Sequence, residues 1–385
     1  MQFKTKMIPL AGAIALVFAG AAAAAEEQIV RIGHVGPISG NNAYIGKDSE
    51  NGAKVAIDEL NAKGVTIGGK KIKFELLAED DAGDPRQGTA AAQKLVDARV
   101  GGVVGHINSG TTIPASKIYF DAGIPQISPA ATNPKYTHQG FKTAFRVVAN
   151  DGQLGGTLGR YAVQISKAKR IAVIDDRTAY GQGIAEEFAK SVKSKAAGQA
   201  EIVAQEYTND KATDLSAILT KIKSKNPDLI FFGGIVPVAA PMLRQMKQLG
   251  INAKFMGGDG ICTDELIKLA GDAILDDQVV CAEAGGVEEN QKTGIDAFKA
   301  SYKRKFGIDA QLYAPYSYDA VMVLAESMKK ANSLEMARYL PDLAKINYKG
   351  ITGKIAFDAN GDIKDGALTL FTYKNSKRVQ LTITR

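Results

Sequence analysis

Three loops in this chain carry residue types that could hold a small charged molecule. The first is Gly105-His106-Ile107-Asn108-Ser109-Gly110-Thr111-Thr112, read as opening a helix. Its small hydroxyl residues would let a ligand approach free backbone N–H groups. A helix start also favours an anion such as a carboxylate. The second is Ser128-Pro129-Ala130-Ala131-Thr132-Asn133-Pro134, which offers a hydroxyl and open main chain directly after a strand. The third is Gly257-Gly258-Asp259-Gly260, an acid flanked by glycines and suited to an ammonium group. Any one of these loops alone would be ordinary turn chemistry. All three follow predicted strands, and ligands of open α/β sheets bind beyond the carboxyl ends of strands.

Other chemistry finds less support. Gly101-Gly102-Val103-Val104-Gly105 is Gly-rich, but it has neither GxGxxG spacing nor the lysine of a P-loop. The histidines are His34, His106 and His138, and none sits in a GxSxG or HExxH context. His106 is read as a hydrogen-bonded residue at a strand end. Asp80, Asp81 and Asp84 lack EF-hand spacing and are read as a solvated acidic loop that starts a helix. No catalytic residue, metal or cofactor is expected, and an exported α/β enzyme is the weaker reading.

The elements that must position these loops alternate between strand and helix. Strands are predicted at 28–35, 71–78, 102–105 and 125–128, with helices at 45–61, from Pro85 onward and at 112–121. The pattern restarts with strands at 170–174, 201–206, 229–232, 255–256 and 278–281, and helices at 180–195, 215–224 and 242–249. Two helices follow at 293–306 and 318–331. The chain closes with strand, turn and strand over 353–373, centred on Asp358-Ala359-Asn360-Gly361, and a last strand at 379–384. Two such series imply two α/β lobes, each a mainly parallel sheet flanked by helices. The predicted division gives residues 26–149 and 284–355 to the first lobe, and 150–283 and 356–385 to the second. The absence of a Pro- or Ser-rich linker suggests several short crossovers acting as a hinge.

The first 25 residues read as an address. Lys4 and Lys6 give a positive start, Met7–Gly20 is apolar, and Ala21–Ala25 suit a signal peptidase. The apolar run is short against the about 20 residues that a membrane span needs. Cleavage would leave about 360 of the 385 residues, a length that suits two domains. The formal charge of +7 is spread among acids over predicted helices, so it does not form a nucleic-acid footprint. The chain has 2 cysteines, Cys262 and Cys281, which in an exported protein read as one disulfide.

Taken in order, several of these segments closely resemble the periplasmic branched-chain amino-acid-binding proteins of ABC importers. They are Asp80-Asp81-Ala82-Gly83-Asp84-Pro85, Gly105-His106 with the Ser109 loop, Pro114-Ala115-Ser116, the 128–134 loop, Tyr180-Gly181-Gln182-Gly183, Leu243-Arg244-Gln245 and Phe255-Met256-Gly257. The resemblance runs over essentially the whole chain beyond the address. It implies a two-lobe, type I binding protein with three crossovers, which is exported to the periplasm, monomeric, and works with a membrane permease. It further implies that the loop at Ser109, with the main chain and hydroxyl around Ala130 and Thr132, holds the ligand carboxylate. Tyr180 would close over the ligand, and Asp259 would take the amine. Tyr44 and Tyr313 fall near the side-chain pocket. Three departures stand out. The family's leucine/isoleucine/valine binder has Glu where this chain has the shorter Asp259. It has an aromatic residue at Ile235. It also has a first-lobe disulfide at the positions of Gly83 and Asn108. A small aliphatic amino acid is the expected ligand. A short amide, urea or an aromatic acid is the alternative.

Overall fold

The computed structural model describes residues 1–2, 27–195, 198–286 and 291–384. All but the first two residues of the expected signal segment lie outside them.

The first sheet grows from β1 (Glu27–Gly36), which alternates at its start and is then wholly buried, as a strand covered on both faces must be. It is followed by α1 (Ala43–Lys63), β2 (Val65–Ile67), β3 (Lys70–Asp80) and α2 (Pro85–Asp97). The Asp84 carboxylate caps α2 by accepting from the N–H groups of Arg86 and Gln87, and Pro85 opens its first turn. Next come β4 (Val103–Gly105), α3 (Ser109–Asp121), β5 (Gln126–Ser128) and β6 (Ala144–Arg146). The strand order is β2-β3-β1-β4-β5-β6, parallel except for the β2–β3 pair.

The chain then crosses to a second sheet. Its elements are α4 (Asp151–Gln164), β7 (Arg170–Asp175), α5 (Ala179–Val192), β8 (Glu201–Tyr207), α6 (Ser216–Lys223), β9 (Leu229–Gly233), α7 (Val236–Gln248), β10 (Lys254–Gly257), α8 (Asp264–Ala270) and β11 (Val279–Glu283). After β11 the chain returns, and α9 (Lys292–Phe306) and α10 (Ala314–Lys330) pack on α1. α11 (Met336–Ala344) packs on α10, and the short hairpin of β12 (Tyr348–Lys349) and β13 (Lys354–Ile355) follows. A last crossing brings β14 (Leu368–Lys374) and β15 (Lys377–Thr384) to the edge of the second sheet, whose order is β15-β14-β11-β10-β9-β7-β8. Five of its strands are parallel, and β14 and β15 are antiparallel.

Some expectations need correction. The turn at Asp358–Gly361 forms, with the Gly361 N–H donating to the Asp358 carbonyl. Its flanks do not pair as a hairpin, however. Ile355 pairs with Tyr348, and β14 lies between β11 and β15, leaving only an isolated bridge between Phe357 and Ile363. The segment is a crossing between the two sheets, so its two strands serve different neighbours. Asp81 is not solvated. It is fully buried, with a carboxylate oxygen 3.0 Å from His106 Nδ1. α7 begins six residues before the expected Met242, because Pro237 fits its first turn and Pro241 is accommodated within it. β2, β6, β12, α4, α8 and α11 are additional to the predicted elements.

Cys262 and Cys281 form a disulfide joining the loop after β10 to β11. Closing a loop of this length contributes roughly 3 kcal/mol in the chain-entropy model.

Candidate functional site

The first-lobe wall of the site begins at the N-terminus of α3. The Asn108 carbonyl accepts from the N–H and hydroxyl groups of both Thr111 and Thr112. That tight turn presents Ser109, the first helical residue, together with N–H groups that have no intrahelical acceptor. Ser128 ties this loop to the next. Its hydroxyl donates to the His106 carbonyl at 2.8 Å and accepts from the Ala131 N–H at 2.9 Å. His106 is itself fixed between Asp81 and Tyr119, all three wholly buried. Asp81 is desolvated, yet its hydrogen bond to His106 and the charge there hold its carboxyl below the ordinary range. From the other side, the buried Arg146 donates to the carbonyls of Ala131 and Asn133 at 2.8 and 3.0 Å. Its opposite edge binds Asp362, on the third crossing. The 128–133 loop is therefore fixed by a cation anchored at the third crossing.

The second-lobe wall comes from α5 and the loop after β10. The Thr178 side chain caps α5 by accepting from the Gly181 N–H, and Asp176 holds Thr178 in turn. Tyr180 then projects from the first turn. Its hydroxyl donates to Asp259 at 2.8 Å and accepts from the Gly260 N–H at 3.0 Å. This approach needs glycine. A Cβ on Gly258 would lie 2.7 Å from the Tyr180 hydroxyl, and one on Gly260 would lie 2.8 Å from its ring. Burial raises Asp259 to about 6, against hydrogen bonds from Tyr180 and Tyr313 that pull the other way. Tyr313 belongs to the first lobe and reaches across to donate to Asp259 at 3.1 Å. It caps α10, and the N–H groups of Gln311, Tyr313 and Ala314 leading into that helix all donate to the buried Asp48.

Between these walls is a cavity of about 30 Å³ lined by Ile45, Ile107, Asn108, Ser109, Ala130, Tyr180, Ile235, Asp259, Gly260 and Tyr313. Of the expected site residues, Ser109, Ala130, Tyr180, Ile235, Asp259 and Tyr313 line this one space. Tyr44 does not line it. Tyr44 packs between the cores of both lobes, and its neighbour Ile45 forms the wall. Thr132 lies behind the wall, buried, with its hydroxyl turned toward Asp151. Gly83 and Asn108 are neighbours, since a Cβ on Gly83 would lie 3.7 Å from Asn108 Oδ1. A wider hollow of about 240 Å³ among Thr213, Pro241, Arg244 and Leu269 involves none of the three loops. Among the described residues no cluster of three potential metal ligands exists.

The two-lobe fold with its three crossings is matched by a known architecture. A sequence model described as periplasmic binding protein matches residues 29–378. The chain belongs to the periplasmic binding protein family. A Leu/Ile/Val-binding protein homolog of Brucella abortus is 38% identical over 364 residues, 94% of each chain. A leucine-, isoleucine-, valine-, threonine-, and alanine-binding protein of Pseudomonas aeruginosa is 33% identical over 353 residues, 91% of this chain and 92% of that one. The branched-chain amino acid substrate-binding protein LivJ of Streptococcus pneumoniae, in complex with isoleucine, is 28% identical. It superposes with a TM-score of 0.80 over 92% of this chain and 100% of that one. The fold is the type I, two-lobe arrangement of these proteins.

One residue of this periplasmic binding protein escapes the reading of its loops. Asp151 opens α4 at the first crossing, and its N–H donates to the Thr132 carbonyl at 2.8 Å. Both of its carboxylate oxygens are buried, with the Thr132 hydroxyl as their nearest polar neighbour rather than a cation. Burial raises it to about 8, partly offset by the Thr132 hydroxyl and reinforced by the charge of Asp259. The available signal is local. Asn150 and Gln153 form a capping box, which marks a helix start and puts an acid in its first turn. It says nothing of what that acid faces.

Proposed function

We propose that this periplasmic binding protein captures a small amino acid, branched-chain or otherwise aliphatic, by closing its lobes over it. The captured ligand is then presented to the permease of an ABC importer. The observation that carries this reading is the buried Asp259, facing the start of α3 across a cavity with aliphatic walls. A zwitterion matches that polarity. Its carboxylate would meet Ser109 and the α3 N–H groups, with the Ala130 main chain and Thr132 beside them. Its ammonium would meet Asp259, and Asp151 behind Thr132. Ile45, Ile107 and Ile235 would surround an aliphatic side chain. The relatives named for leucine, isoleucine and valine support the same ligand class.

A neutral amide, urea or an aromatic acid would leave Asp259 buried with no cation to pair with, which is unfavourable in a low-dielectric site. Export with loss of the first 25 residues, a monomeric state and hinge segments near 149–150, 283–284 and 355–356 complete the proposal. Binding and release need no chemistry on the ligand. A thermal-shift screen of the protein lacking residues 1–25 against the common amino acids, acetamide, urea and benzoate tests the assignment. Stabilisation by leucine, isoleucine or valine supports it. Stabilisation by an amide, urea or benzoate alone contradicts it.

A further inference from the structure

Asn133 has each of its polar groups committed to a separate partner. Its N–H donates to the Ser109 hydroxyl at 3.3 Å, and its carbonyl accepts from Arg146 at 3.0 Å. Its side-chain oxygen accepts from the Lys135 N–H at 2.9 Å, capping a short 3-10 turn. This bond fixes the orientation of the amide. The remaining group, Nδ2, points across the cleft and donates to the Ala179 carbonyl, the first residue of α5, at 2.6 Å. Three of these bonds lie within the first lobe, and only the fourth joins the lobes. Asn133 does not line the ligand cavity.

The second lobe is shaped to receive that amide. By helix register, the N–H of Gly183 serves the same Ala179 carbonyl from one turn further on. A Cβ at Gly183 would stand 2.5 Å from Asn133 Nδ2 and 2.9 Å from an Asp151 carboxylate oxygen. Gly183 is not in a left-handed conformation, so the backbone alone does not require glycine there. In a helix interior glycine is the less stable choice than alanine. The missing side chain is accounted for by the space that the Asn133 amide occupies when the lobes are together.

We infer that Asn133 is a closure latch, a positioning residue that adds a ligand-independent hydrogen bond to the closed form and sets affinity without touching the ligand. The inference rests on the proposed capture by lobe closure. Its link to Ser109 places the latch one bond from the carboxylate site. Its bond to Ala179 places it one residue from Tyr180. Closing the latch therefore brings together the two walls that would enclose the ligand. A bond of this kind shifts the open–closed balance by the same factor for every ligand. It lengthens the life of the closed complex and leaves encounter with the open form unchanged.

Two variants separate this role from a merely structural one. Asn133→Asp keeps the oxygen that caps the Lys135 N–H, but it replaces the donor across the cleft with a charged acceptor facing the Ala179 carbonyl. It should weaken leucine, isoleucine, valine and alanine by one common factor, roughly 2- to 13-fold or more for the loss of one neutral hydrogen bond. The loss should appear in the dissociation rate, with the ligand-free melting temperature unchanged. Gly183→Ala should not lower the ligand-free melting temperature, because α5 itself gains, yet it should weaken every ligand because its methyl displaces the amide and crowds Asp151, so the Asn133→Asp result is the one that decides the latch. Calorimetric and stopped-flow titrations of both variants, with melting curves, read these effects. Wild-type affinity in Asn133→Asp would overturn the latch, and so would a change in the ratio between ligands. If the wild type ignores amino acids and binds acetamide, the ligand assignment fails, and the same comparison made with acetamide still decides the latch.

Discussion

Leucine binding at neutral pH should release a proton from Asp151. With the lobes together this carboxyl is raised to about 8, so at pH 7 its protonated form predominates. Ionising it there costs about 1.4 kcal/mol. An ammonium held about 5 Å away, at an effective dielectric near 20, attracts the carboxylate by about 3 kcal/mol. The attraction exceeds the cost, so the proton leaves as the ligand enters. About 0.9 proton should be released per leucine at pH 7, and affinity should rise by up to about tenfold per pH unit between pH 6 and 8. Calorimetry at pH 7 in two buffers of different ionisation enthalpy measures the release directly. Asp151→Asn should abolish the release and flatten the profile. The free protein should respond in the opposite sense. Its folded-state value lies above the unfolded 3.8, so wild-type stability is full below the unfolded value, declines as pH rises from there to about 8 and levels off above, while the Asn variant avoids that loss. If the wild type releases no proton and its pH profile matches that of the variant, Asp151 stays neutral on binding and the paired-acid account of the amine site is wrong.

Two other perturbations test the walls and their anchor. Ser109→Ala should weaken leucine by roughly 10- to 150-fold, the loss of a hydrogen bond to a charged group, with little change in melting temperature, and Thr132→Ala, from behind the wall, should weaken it less. Unchanged titrations for both would remove them from the carboxylate site. Asp362 is held below its ordinary 3.8, since Arg146 and the Thr137 and Asn150 hydrogen bonds outweigh its burial. Its stabilisation is therefore present above that value and lost as pH falls through the lower folded-state value. Asp362→Asn should cost about 3–5 kcal/mol at pH 7, the penalty for leaving Arg146 buried without its counter-charge, and the deficit should shrink in strong acid. Equal urea midpoints at pH 7 would refute the anchoring role.

Much of the site is legible in the sequence because its loops are built from residues that do one local job. Gly, Ser, Thr and Pro after an apolar strand mark places where backbone is open to a ligand, and the loops at Ser109, Ala130 and Asp259 do converge on one cavity. The missing parts depend on distant contacts. The start of α10 is set by Asp48, 265 residues before Tyr313, so no local cap reveals it. Asp81 looks solvated in its acidic run, but His106, 25 residues on, draws it into the core. Asp151 carries only the signature of a helix start. Its meaning comes from Thr132 and Asp259, which approach it through the fold. Tyr44 shows the limit of a positional match, since a one-residue difference in helical facing gives the cavity wall to Ile45 and turns the tyrosine between the lobes.

The most direct test of amino-acid capture is calorimetric titration of the protein lacking residues 1–25, and of its Asp259→Asn variant, with leucine, isoleucine, valine, alanine and acetamide. The account predicts that the wild type binds at least one of the aliphatic amino acids and ignores acetamide. It also predicts that the variant loses about 3–5 kcal/mol for that ligand, because a buried ammonium is left without its carboxylate. A wild type that binds acetamide and no amino acid, or a variant with unchanged amino-acid affinity, would contradict it.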